Sequence, residues 1–197
     1  DEWQKCANLR LYHAYQMGHP GKKLIFMGGE FGEWREWDEN TSLDWHLLET
    51  EGHCQLQHFS RELNRLYLEL PALYSNDFDW NGFCWIDHSD QDNSVLAFLR
   101  MPEENFGSNE HSERSSSSDS PVVFVFNFTP VPRTGYVLGM PEAGAYQKIF
   151  DTDDSWFGGS GFNNQSRIPM ENHSSHGFSK RVTLDLPPLA ALMLQPV

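Results

Sequence analysis

Carboxylates and flat aromatic rings crowd one short stretch of the chain, residues 22–45, which reads KKLIFMGGEFGEWREWDENTSLDW. Glu30, Glu33, Glu36 and Asp44 can accept hydroxyl protons, and Arg35 is a rigid fork of donors. Trp34, Trp37 and Trp45 offer ring faces. That combination suits a sugar, since acids bond its hydroxyls and rings stack on the apolar C–H face of a pyranose. Glycosyl chemistry needs two carboxyl groups flanking the scissile bond, one as nucleophile and one as proton donor. Glu30 and Glu36 tempt such an assignment, but both lie on one loop after one strand. In barrel enzymes the catalytic groups come from the ends of several strands. No catalytic residue is assigned on this ground, and bracing of the loop through Arg35 or backbone amides is an equal reading for the two glutamates.

The flanking pattern predicts what positions this stretch. Residues 1–17 carry Trp3, Ala7, Leu11 and Ala14 at helical spacing, with Asp1 and Glu2 at the amino end. Gly18-His19-Pro20-Gly21 ends that helix. His13 and His19 read as surface or cap residues. Leu24-Ile25-Phe26-Met27 reads as a strand buried on both faces, as in a parallel sheet. Gly28 and Gly29 turn it into the polar–aromatic loop, residues 28–40. A short turn over 41–48 follows, which Gly52 is expected to break. Residues 54–70 repeat Leu56, Phe59, Leu63, Leu66, Tyr67 and Leu70 at intervals of three and four, an amphipathic helix that Pro71 stops. Its apolar face is expected on the outside of a barrel.

Beyond residue 73 the texture changes to short β-rich runs. Strands are expected over 82–88, 94–101, 121–128, 133–138, 145–151, 180–186 and 190–194, and together they imply an antiparallel β-sandwich. Residues 102–120 are Ser-rich and charged and are expected to form a disordered hairpin loop. Residues 152–177 read as a long loop. The boundary falls near residues 74–80, giving units 1–75 and 76–197. The first, with apolar edges unpartnered, is expected to be the labile one.

Composition narrows the partners. The formal net charge is −14, which opposes binding to phosphate backbones or anionic membranes. No apolar run approaches the ~20 residues that span a bilayer. Cys6, Cys54 and Cys84 are odd in number and widely spaced, so three free thiols in a reducing cytoplasm are expected. The Asn-x-Ser/Thr triplets at Asn40, Asn127, Asn164 and Asn172 are then chance matches. Gly159-Ser160-Gly161 lacks the strand–helix context of a nucleophile elbow. His173 and His176 have no metal-ligand spacing and read as solvated, so neither metal nor cofactor is expected. The chain starts at Asp1 inside a helix, which suggests a piece of a longer protein.

Several segments carry a family resemblance. HPGKKLIFMGGEFGEWREWDENTSLDWHLL resembles the end of the catalytic barrel of bacterial-type 1,4-α-glucan branching enzymes, in the α-amylase superfamily. FDWNGFCWID, VFNFTPVPRTGY and LDLPPLAALML are similar to successive parts of their C-terminal β-domain. The resemblance runs over nearly the whole chain and departs at 102–120 and around 155–178. It implies the last βα portion of a (β/α)8 barrel followed by a C-terminal β-sandwich. It also implies a retaining transfer of a cut α-1,4-glucan chain to a 6-hydroxyl, making α-1,6 branches. The family's catalytic Asp and Glu lie on earlier strands, so the fragment is expected to be inactive alone and to need the missing N-terminal part. What carries over is the loop as one wall of the groove. Glu30, Arg35, Glu36, Trp37, Asp44 and Trp45 are expected to shape it and touch α-glucan. The alternatives are a debranching or trehalose-releasing relative and a non-catalytic glucan-binding module.

Overall fold

The structure is a computed structural model that describes residues 1–103, 120–162 and 165–197. The Ser-rich stretch therefore lies almost wholly outside the described residues, as does Asn164. Helix α1 runs Glu2–Gly18, and its N-cap Asp1 accepts a hydrogen bond from the Gln4 amide at 2.8 Å. Helix α2 runs Glu51–Glu69, starting earlier than its periodicity suggested. Gly52 sits in its first turn instead of breaking the chain; a first turn lacks most internal bonds, so glycine costs little there. Leu70 and a 3-10 turn at Pro71–Leu73 close the helix, both buried.

Among the described residues eight strands follow: β1 Phe83–Asp90, β2 Val95–Arg100, β3 Val122–Asn127, β4 Arg133–Met140, β5 Ala145–Asp151, β6 Arg167–Pro169, β7 Lys180–Leu186 and β8 Ala190–Pro196. A six-stranded sheet runs β1-β2-β3-β8-β5-β6, and β4 and β7 form a second sheet. Every pairing among these strands is antiparallel, so the all-β expectation for the second half holds. The region expected as one loop, 152–177, contains β6 and a 3-10 turn at Ser155–Phe157.

The large sheet is covered on both faces. Val122, Phe124, Phe126, Phe98, Ala191 and Met193 face α1 and α2, meeting Leu11, Ala14, Met17, Phe59, Leu63 and Leu66. The intervening Val123, Val125, Leu192 and Leu194 face the β4–β7 sheet, meeting Leu138, Met140, Val182 and Leu184. Successive strand residues point to opposite faces, so β3 is apolar at every position from Val122 to Phe126 to satisfy both layers. The order is thus helices, large sheet, small sheet, with the large sheet in the middle.

Two expectations change here. The apolar face of α2 lies on the β-sheet, where Phe59 meets Phe150 and Phe157 at 5.7 and 5.5 Å between ring centroids. Residues 1–73 therefore share a core with the strands and are not an unpartnered half. Residues 24–27 form no strand, and Leu24, Phe26 and Met27 are 68%, 58% and 50% exposed. A strand needs a neighbour for its amides, and no described strand lies beside this one.

Candidate functional site

Phe26 leads into an arch of backbone that ends at Glu33. The Gly29 amide donates to the Phe26 carbonyl at 2.9 Å, and the Phe31 and Glu33 amides donate to the Gly28 carbonyl at 3.2 and 3.0 Å. Gly28 takes φ +84°, and a Cβ there would lie 2.6 Å from the Glu33 Cβ. Only glycine fits such a left-handed, crowded position. Phe31 is fully buried and anchors the arch from below.

The arch is fastened to both helices. Buried His13 of α1 places Nε2 3.2 Å from the Gly29 carbonyl oxygen. Ser60 of α2 donates its hydroxyl to the Glu30 carbonyl at 2.8 Å, and the His53 Nδ1 lies 2.7 Å from the Phe31 carbonyl oxygen. His13 is thus no surface residue, whereas His19 is the C-cap of α1. The signal was present in the sequence: Arg10, His13, Ala14 and Met17 share one helical stripe, as do His53, Leu56, Ser60 and Leu63. Polar residues inside an apolar stripe need partners, and loop carbonyls supply them.

Beyond the arch the chain lines an open cleft of about 330 Å³, formed by Phe26, Met27, Gly29, Glu33, Arg35, Glu36 and Trp37. The Phe26 and Trp37 rings meet edge to face at 5.5 Å. Arg35 grips Asp44 in a two-pronged pair, Nε to Oδ2 and Nη2 to Oδ1, both at 2.6 Å. The fork holds the Asp44 carboxyl below its ordinary range and raises the guanidinium. Glu33 accepts the Asp44 amide at 2.8 Å, closing the far side of the loop onto the near side.

The six residues expected at a groove are thus distributed unevenly. Arg35, Glu36 and Trp37 come together at the cleft. Asp44 joins them through Arg35. Glu30 and Trp45 do not line it: the Glu30 carbonyl is held by Ser60, and the Trp45 ring leans on Phe31 at 5.2 Å. Glu33, which the sequence offered among the acids of the loop, both lines the cleft and ties it. Trp34 faces elsewhere, with the Lys5 ammonium 5.0 Å from its ring centre.

Other polar groups are structural. Buried Asp153 accepts the Ser160 amide and hydroxyl at 2.7 and 2.6 Å, which fixes the Gly-Ser-Gly loop. His176 is not merely solvated, since its Nε2 lies 3.2 Å from Asp87 and its Nδ1 accepts the Gly139 amide at 3.1 Å. Cys6, Cys54 and Cys84 are free thiols. No helix among the described residues is long and apolar enough to cross a membrane.

An acid–aromatic loop held by two helices that pack on a β-sandwich is an arrangement with sequence relatives. Residues 85–197 match the family of the α-amylase C-terminal all-β domain, and the chain belongs to that family. More particularly, it is 47% identical over 196 residues to the 1,4-alpha-glucan branching enzyme GlgB of Rhodospirillum rubrum, which covers all of this chain and 25% of that protein. The corresponding enzymes of Pseudomonas aeruginosa and Albidiferax ferrireducens are 44% and 45% identical, again over the whole chain and over 25% and 29% of their own lengths. The chain spans roughly a quarter of the curated relatives it matches and corresponds to their C-terminal region.

Proposed function

We propose that the chain is the C-terminal part of a 1,4-α-glucan branching enzyme, which moves a cut α-1,4-glucan chain to a 6-hydroxyl to form α-1,6 branches in glycogen. The carrying observation is whole-chain similarity to branching enzymes at up to 47% identity, helices and loop included. On this reading residues 1–75 are the last portion of a (β/α)8 barrel and residues 76–197 its β-sandwich companion. The exposed Leu24, Phe26 and Met27 then await neighbouring barrel strands, which a free-standing domain would have no reason to display.

The cleft supplies one wall of the glucan groove. Trp37 offers an exposed ring face, Glu36 an exposed carboxylate, and Arg35 and Asp44 hold the rim in shape. Glu30 and Trp45 act from behind, through the arch. The bond-breaking carboxylates belong to the remaining three quarters of the protein, which acts in the cytoplasm. Nucleic acid and membranes are not partners on this reading, as the acid excess requires.

Branching lowers the absorbance of the iodine–amylose complex, and debranching of the product releases short chains. The full-length protein should do both to linear α-1,4-glucan, with Trp37→Ala raising KM about tenfold as a stacking contact of roughly 1–2 kcal/mol is lost. Release of free sugars without new α-1,6 linkages would replace the reading with a hydrolytic one. Branching by the 197-residue chain alone would overturn the placement of the catalytic groups.

A further inference from the structure

Three successive peptide carbonyls of the arch are each held by a different buried side chain. His13 is 5% exposed, His53 3% and Ser60 5%, and they reach Gly29, Phe31 and Glu30 in turn. A carbonyl oxygen only accepts, so each contact fixes a proton. His13 must carry hydrogen on Nε2, and His53 on Nδ1. The other nitrogen of His13, Nδ1, is buried and has no hydrogen-bond partner among the described residues. Burial also pushes the His13 pKa down, in keeping with a neutral ring.

The fastening comes on top of contacts the arch makes by itself. The arch already closes on itself through the Gly28 carbonyl, and Phe31 already anchors it. The three bonds add orientation: two come from α2 and one from α1, so the arch is fixed relative to both helices at once. Of the residues that leave it, Glu33, Arg35, Glu36 and Trp37 are at the cleft.

We propose that His13, Ser60 and His53 are positioning residues for glucan, acting through the carbonyls of Gly29, Glu30 and Phe31 to set Glu33 and Arg35 at the rim and to aim Glu36 and Trp37 into the groove. The inference rests on the glucan-groove reading of the cleft. None of the three touches substrate. They set where the groups that do touch it stand, so they act on binding and not on bond breaking.

Tautomer-matched substitution tests this in the full-length protein. Glutamine can place an N–H where Nε2 stands, and asparagine where Nδ1 stands. His13→Gln and His53→Asn should therefore keep KM for linear α-1,4-glucan within about twofold of wild type. His13→Asn, His53→Gln and Ser60→Ala should raise it about five- to tenfold, with kcat within about twofold, as a misaimed contact costs about 1 kcal/mol. In parallel, acrylamide quenching of tryptophan fluorescence without glucan should rise in the mismatched variants alone. Equal KM and equal quenching in matched and mismatched variants would overturn the proposal, even if melting temperature fell in all of them. A wild type that neither binds nor branches glucan would refute the groove reading instead, and the matched–mismatched difference in quenching would still decide whether these side chains aim the loop.

Discussion

Arg100 should be the costliest single residue to remove outside the aromatic core. It is fully buried at the end of β2 and spends three donors on three segments. Its Nη1 donates to the Gly18 carbonyl at 2.6 Å, its Nη2 to Asp77 at 2.5 Å and its Nε to the Gly82 carbonyl at 3.3 Å. Gly18 ends α1, Asp77 lies in the connection from the helices to the strands, and Gly82 precedes β1. Arg100→Met keeps the stem and removes all three bonds. It leaves the Asp77 carboxylate, 6% exposed, without its cation. Breaking a buried pair from one side costs about 3–5 kcal/mol. Adding Asp77→Asn should return about 1–2 kcal/mol, because a buried amide is far cheaper than a bare charge. Urea unfolding followed by tryptophan fluorescence measures both variants, with the free-energy difference taken from the midpoints. A loss below about 1 kcal/mol for Arg100→Met, or no recovery in the double variant, would refute the claim that this guanidinium joins the layers.

Other outcomes follow from the same packing. Gly28→Ala should cost about 1–2 kcal/mol for the left-handed backbone alone, and more from the clash with Glu33; thermal unfolding reads it, and an unchanged midpoint would mean the arch relaxes freely. Deleting residues 1–73 should yield strands that bind a hydrophobic dye and aggregate, because Phe98, Phe124 and Phe126 lose their cover; a soluble, cooperatively melting product would contradict the shared core. Burial lowers the Lys23 pKa to about 8 from 10.5. Its folded pKa is the lower one, so the unfolded chain binds the extra proton between those values and stability from this group rises with pH across that window. Relative to a Lys23→Met variant, the wild-type urea midpoint should climb from pH 8 to 10, and a falling difference would reverse the assignment.

Much of this architecture is legible in the sequence because local pattern and burial agree. The run Val122 to Phe126 is apolar at every position, and β3 is a strand with a core on each face. The stripe from Leu56 to Leu66 gives α2 and its buried side. What the pattern leaves open is the identity of the partner. The same stripe would serve a barrel exterior or a sheet, and only the tertiary arrangement shows Phe59 against Phe150. Residues 24–27 illustrate the converse: four apolar residues announce burial, yet a strand forms only when another lends its hydrogen bonds. At the cleft, residue types identified the loop, but not that Glu33 would line it or that His13 would hold it. Those depend on backbone carbonyls, which composition does not encode.

Helix α1 touches two very different neighbours within one and a half turns. At Gly18, where a Cβ would lie 2.7 Å from the Phe124 ring, it is seated on the sheet and clamped by Arg100. At His13 it holds the arch. About 7.5 Å of helix separates the two points, and a helix of that length barely bends. The strands therefore serve as a datum from which the cleft is measured. A tilt of a few degrees where helix meets sheet is carried to the arch, so the tolerance of the acid–aromatic loop is set by how tightly phenylalanines stack beneath it.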